Sequence, residues 1–110
     1  MRVNDDALRN GRAQLFTWMA VDPADGAVNV AFLDRREGDG LAQRVTLARS
    51  TDRGRTFRNF AVDRPSFTCP ETVFYGDYLS VAALGSRVVA AWPECSPEGD
   101  LALYAATFQF

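Results

Sequence analysis

The chain contains no lysine and no histidine, so all 12 of its basic residues are arginines. Without histidine, a Ser-His-Asp triad and a histidine metal site are excluded; without lysine, so is a Schiff base. Carboxylates, Tyr, Ser, Thr, Arg and two cysteines remain to carry any chemistry, and no cofactor is expected. No apolar run approaches the roughly 18 residues that a membrane span requires, so none is expected. Met1 to Gly11 is polar and places Asp5 and Asp6 where a signal peptide would be apolar, which reads as a chain without an export signal. Charge of one sign is nowhere concentrated. Fourteen acidic residues against 12 basic ones leave a formal charge of -2, with no stripe to bind a polyanion, and nucleic acid is not expected as a partner. The exclusive use of arginine fits a GC-rich coding sequence as well as bidentate recognition of anions. Cysteine is scarce too. Cys69 and Cys95 lack Cys-x-x-Cys spacing and are compatible either with one disulfide in an oxidising compartment or with two unrelated thiols.

What is present is a β pattern. Apolar residues alternate with period two, no helical stripe exceeds about two turns, and 47% hydrophobic content over 110 residues suffices for one folded core. The expected strands are Gln14 to Val21, Ala27 to Leu33, Arg44 to Arg49, Phe57 to Val62, Tyr78 to Ala83, Arg87 to Trp92 and Leu101 to Phe108. Turn clusters separate them, among them Asp22-Pro23-Ala24-Asp25-Gly26, Asp52-Arg53-Gly54 and Leu84-Gly85-Ser86. Strands this close with tight connections imply antiparallel meanders.

The sequence also repeats. A shift of 60 lays Trp18 over Tyr78, Val21 over Val81, Val28 over Val88, Ala31 over Ala91, Phe32 over Trp92 and Asp34 over Glu94. With a one-residue adjustment Gly26 falls on Gly85, as tight turns needing positive φ would require. Each unit is a small sheet that cannot hide both faces alone and needs a neighbour to stack against.

Ser50-Thr51-Asp52-Arg53-Gly54-Arg55-Thr56-Phe57 fits Ser-x-Asp-x-Gly-x-Thr-Phe at every fixed position. Ser50 and Asp52 can accept hydrogen bonds from turn amides, Gly54 can turn left-handed, and Thr56 with Phe57 restarts a strand. At this point the sequence resembles the Asp-box, or bacterial neuraminidase repeat, of sialidase-like exo-glycosidases. Gln14 to Pro23 and Val28 to Arg36 look like one blade of that family leading into its Asp-box, and Tyr75 to Tyr78 with Val88 to Trp92 look like the start of the next. The resemblance implies an all-β chain of four-stranded antiparallel β-propeller blades, about two in number with the second incomplete. Residues 1–13 would be an outer-strand remnant and linker, 14–66 the first blade with its Asp-box at 50–57, and 67–110 the second. The box would join the third and fourth strands on the outer rim. The missing outer strand has two explanations: Arg2 to Asn4 of another copy completes it, three chains then making six blades, or the chain is part of a longer propeller.

Sialidases of this kind hold a substrate carboxylate with an Arg cluster and use a Tyr nucleophile, a Glu that activates it and an Asp acid/base. Carried onto this sequence, the resemblance offers Tyr78, Glu94 and Asp77 as catalytic candidates. The residues allow other readings: Tyr78 as a packing aromatic equivalent to Trp18, Asp77 as a turn cap, and Glu94 in a structural role shared with Asp34. Arg35 and Arg36, sent to opposite faces by alternation, could meet an anionic ligand, and Trp18, Tyr78 and Trp92 could stack on sugar rings or lie buried. Asp34, Glu37 and Asp39 could gather around Ca²⁺, but their spacing matches no standard loop, and no metal is expected. Two functions follow: part of a sialidase-like propeller acting on or binding glycans, with a sialoside the expected ligand, or a non-catalytic module for carbohydrate or protein. Both imply other propeller blades as partners and an extracellular or periplasmic setting.

Overall fold

A computed structural model describes residues 1–38 and 40–110. Among the described residues there is no helix, and seven strands form two antiparallel sheets. The first sheet holds β1 (Gln14–Val21), β2 (Val28–Asp34), β3 (Arg44–Ser50) and β4 (Arg58–Ala61) in that order; the second holds β5 (Ser80–Leu84), β6 (Arg87–Cys95) and β7 (Leu101–Gln109). The expected strands are all present, most shifted by a residue or two at their ends. β6 runs three residues beyond Trp92 because Pro93, Glu94 and Cys95 stay in register with Leu103, Ala102 and Leu101.

One expectation, the repeat, needs correction, and the N-terminal segment is held on the first sheet by contacts other than strand pairing. The segment Arg2 to Asn4 forms no strand; Val3 packs on Val30, Phe32 and Ala48 of the first sheet, and its carbonyl accepts a hydrogen bond from Asn59 Nδ2 at 2.9 Å. The shift of 60 holds for β2 and β6 but fails for the strands before them. Trp18 lies opposite Ala31, whereas Ala91 lies opposite Ser80, so Tyr78 falls two residues short of the position matching Trp18. The cause is local. The β1–β2 turn spans Asp22 to Ala27, while Gly85 and Ser86 alone join β5 to β6. Further back, β1 carries a register shift between Leu15 and Trp18 where Phe16 sits at φ 52°.

Alternation along each strand gives each sheet two faces, and the sheets stack through one face apiece. Ala31, Leu33, Val45 and Leu47 of the first sheet meet Val81, Val88, Ala90 and Trp92 of the second. The opposite face of the first sheet buries a smaller cluster, Val30, Phe32 and Ala48, under Val3 and Phe57.

One covalent tie and one pair of hydrogen bonds to a buried carboxylate hold the stack together. Cys69 and Cys95 form a disulfide, deciding between the two readings of the sequence and fixing the β4–β5 connection to the end of β6. Asp22, fully buried in the first sheet's turn, accepts the amides of Gly85 and Ser86 in the second sheet's turn at 3.0 and 2.7 Å.

Candidate functional site

Because each sheet is a meander, its connections segregate to two ends. The β1–β2, β3–β4 and β5–β6 turns share one end, where Asp22 ties the first to the last; the β2–β3 and β6–β7 loops and the long β4–β5 connection lie at the other.

The Ser50 to Phe57 turn lies at the first end and joins β3 to β4. Asp52 is its centre: one carboxylate oxygen accepts the Arg55 and Thr56 amides at 2.8 and 2.9 Å and the Ser50 hydroxyl at 2.7 Å, and the other accepts the Thr56 hydroxyl at 2.6 Å. These donors, Thr56 foremost, hold the Asp52 carboxyl well below the usual carboxylate range. Ser50 Oγ in turn accepts the Gly54 amide at 2.8 Å, and Gly54 sits at φ 80°. Arg53 also adopts positive φ, at 64°, a strain the motif did not announce. Phe57 packs against the Val30, Phe32 and Ala48 cluster. The Ser50, Asp52 and Thr56 side chains are spent on the turn itself, and the other acids of this end, Asp22 and Asp25, are engaged by turn amides and by Arg49.

The loop end carries the charged candidates. Asp34, buried at the end of β2, accepts the Thr46 hydroxyl at 3.0 Å, the Arg36 amide at 3.0 Å and Arg36 Nε at 2.5 Å. Arg36 also reaches Asp5 at 2.5 Å and Asn59 at 3.2 Å; although burial opposes its charge, Asp5 and Asp34 raise its pKa. Arg35 leaves on the other side, as alternation requires, and donates Nε to Gln43 Oε1 at 3.2 Å. Glu37 pairs with Arg44, and Asp39 lies outside the described residues. No cluster of three metal-ligating side chains occurs among the described residues.

Glu94, the counterpart of Asp34 at the end of β6, is similarly occupied. It accepts Trp92 Nε1 at 2.8 Å and takes Arg64 in fork geometry at 3.3 and 3.0 Å. Arg64 stacks over the Tyr104 ring at 3.9 Å, and the hydrogen bond to Glu94 raises its pKa. Trp92 is 2% exposed, so it fills the core between the sheets and offers no ring to a sugar. Trp18 remains half-exposed. Tyr78 and Asp77 are both exposed, ahead of β5, and neither side chain has a hydrogen-bond partner among the described residues. The three catalytic candidates are thus not brought into mutual contact: Glu94 bonds Arg64 and Trp92, not Tyr78.

Comparison with family models, with curated proteins and with solved structures finds no match to this chain.

The loop end does assemble one arrangement that no motif indicated. Gln43, fully buried, exchanges both of its backbone hydrogen bonds with Phe67, at 2.9 and 2.8 Å, and thereby docks the β4–β5 connection onto β3. Its side-chain oxygen accepts both Arg35 and, at 3.4 Å, the Tyr75 hydroxyl. Tyr75 is set edge-on to Phe16 and Phe67. The result is a recess of about 160 Å³ between Arg35, Gln43, Tyr75, Pro70 and Glu71. Arg35 has no carboxylate within ion-pair distance among the described residues, so its guanidinium is held in place by an uncharged amide with its charge unspent. Sequence reasoning singled out Arg35 but not Gln43 or Tyr75, whose positions depend on the long connection folding back.

Proposed function

We propose that the chain is a two-sheet part of an Asp-box propeller of the sialidase type and that it acts as a non-catalytic glycan-binding module through its loop end. The observation that carries the binding role is the half-buried Arg35 beside Gln43 and Tyr75, with no carboxylate at ion-pair distance among the described residues. A guanidinium fork recognises a sugar carboxylate in bidentate fashion, while an amide, a phenol and the exposed rim carboxylate of Glu71 suit sugar hydroxyls. The ligand class is therefore an acidic sugar, a sialoside or a uronate.

The absence of turnover follows from Glu94. A nucleophilic Tyr needs a neighbouring carboxylate to take its proton, and both oxygens of Glu94 are engaged by Arg64 and Trp92. A setting outside the cytoplasm agrees with the Cys69–Cys95 disulfide. A glycan array, titration with the best hit, and incubation with a fluorogenic sialoside test this reading together. The expected result is discrete binding of acidic glycans, lost in Arg35→Ala and kept in Tyr78→Phe, with no turnover above the blank. Hydrolysis that collapses in Tyr78→Phe would establish an enzyme instead, and no binding to any acidic glycan would remove the module reading.

A further inference from the structure

The stack of two sheets ends in an uncovered apolar face on each side, and the interface inside the chain indicates what fits them. On the second sheet the outward face includes Leu84, Val89, Ala91, Pro93, Leu103 and Ala105, and apart from Arg87 at the turn end it carries no charge. Leu103 lies opposite Pro93 just as Val45 lies opposite Leu33, yet Val45 is 2% exposed and Leu103 is 84% exposed. Val45 is covered within the core that the second sheet closes together with Val62 and Phe67; Leu103 has no such cover.

The first sheet shows the complementary situation. Met19 lies opposite Val30 as Val81 lies opposite Ala90, and Val30 and Ala90 occupy matching positions of the repeat. Val81 is 7% exposed, buried against the first sheet, whereas Met19 is 60% exposed and its neighbour on that face, Val21, is 51% exposed. The N-terminal segment covers the outer part of this face through Val3 and leaves the β1 side, Met19, Val21 and part of Val28, open.

We infer that a second copy of this chain docks head to tail, the Met19–Val21 side of its first sheet seating on the Leu103 face of the second sheet, in repetition of the contact between the two sheets inside each chain. The occupant is a copy because the two open faces are the repeat equivalents of two faces that already fit one another. Around Leu103 that face is formed by Pro93, Leu101 and Ala105, and its polar side chains, Ser80, Arg87, Thr107 and Gln109, lie on the β5 edge and towards the turn end. The contact is heterologous, using different patches on the two copies, so it propagates or closes into a ring.

Sedimentation equilibrium of the whole chain over a range of concentrations, with two single variants, tests this. The wild type is expected to exceed the mass of one chain, and Leu103→Asp and Met19→Asp are each expected to be monomeric, since each places a charge on an apolar face that the contact covers. Mixed in equal amounts, the two variants are expected to form a two-chain particle and nothing larger, because one retains the first-sheet face and the other the second-sheet face. A monomeric wild type overturns the inference, as does continued association of Met19→Asp alone or failure of the mixture to pair. Both side chains are exposed in the single chain, so the variants leave the core intact, which circular dichroism checks; Val21→Asp and Ala105→Asp repeat the test from adjacent positions. Titrating acidic glycans into the monomeric variants separates this inference from the binding reading, which does not require the contact.

Discussion

Reducing the Cys69–Cys95 disulfide should lower the melting temperature by about 15 °C, and the size of the shift follows from the chain path. The bond closes a loop with a sequence separation of 26. Chain-entropy theory assigns a loop of that length about 3.5 kcal/mol of stabilisation at 25 °C, acting by restricting the unfolded state. For 110 residues the unfolding entropy is about 0.23 kcal/mol per degree, which converts that energy into the stated shift. Thermal melts followed by near-UV circular dichroism, with and without a phosphine reductant and at a concentration where the chain is monomeric, provide the measurement. A Cys69→Ala/Cys95→Ala chain should agree with the reduced wild type to within about 1 kcal/mol, the difference reflecting lost packing at buried Cys95. A shift below about 5 °C would refute the reasoning. It would mean that the unfolded chain is already restricted, or that the β4–β5 connection is no less ordered without its tether. The consequence for the site is specific: Phe67 and Tyr75 lie in that connection, so reduction should weaken the proposed glycan binding at temperatures where the sheets remain folded.

Two further expectations concern the turn and the core. Replacing Asp52 with Ala removes the acceptor of two turn amides and two hydroxyls and should destabilise the chain, which urea midpoints report. Because the folded state holds the Asp52 carboxyl below its unfolded value of about 4, its contribution is complete above that pH and is lost as the pH falls towards the folded value. Asp52→Asn should therefore flatten the fall in stability on the acid side, and an unchanged acid limb would show that the box is not a source of pH dependence. Trp92→Ala should cost about 3–5 kcal/mol in urea unfolding, since a fully packed indole between the sheets leaves a cavity. A loss under about 1 kcal/mol would mean that the sheets do not pack as a common core.

The fold was largely legible because its signals are local. Alternation marked all seven strands, and Ser50, Asp52 and Gly54 announced a turn whose hydrogen bonds could be written from the side chains alone. The repeat was legible in β2 and β6, where one residue in the sequence is one residue in the sheet. It misled at Trp18 and Tyr78 because a six-residue turn in one unit is replaced by a two-residue turn in the other, and alternation carries no record of turn length. The candidate site was legible only in part. Arg35 stands next to a strand and can be read from the pattern. Gln43, Tyr75 and Arg64 act across separations of 8, 32 and 30 residues, and no periodicity encodes where a long connection returns.

The distribution of acids is the reason the proposed binding is assigned to one end of the molecule. At the turn end, Asp22 and Asp52 are neutralised by backbone amides, which are fixed dipoles; these groups are saturated by the fold and cannot be released without breaking the turns. The Ala24 amide and the two from the second sheet hold the Asp22 carboxyl low, just as Thr56 and its neighbours hold Asp52. At the loop end the buried acids Asp34 and Glu94 are neutralised by arginines instead, Arg36 and Arg64, and each pairing consumes a cation. Arg35 escapes because its fixed partner is the amide of Gln43, which orients a guanidinium without discharging it. A glutamate at position 43 would satisfy the same geometry and abolish the surplus charge. The choice of amide over carboxylate at that one position is what leaves the recess able to attract an anion.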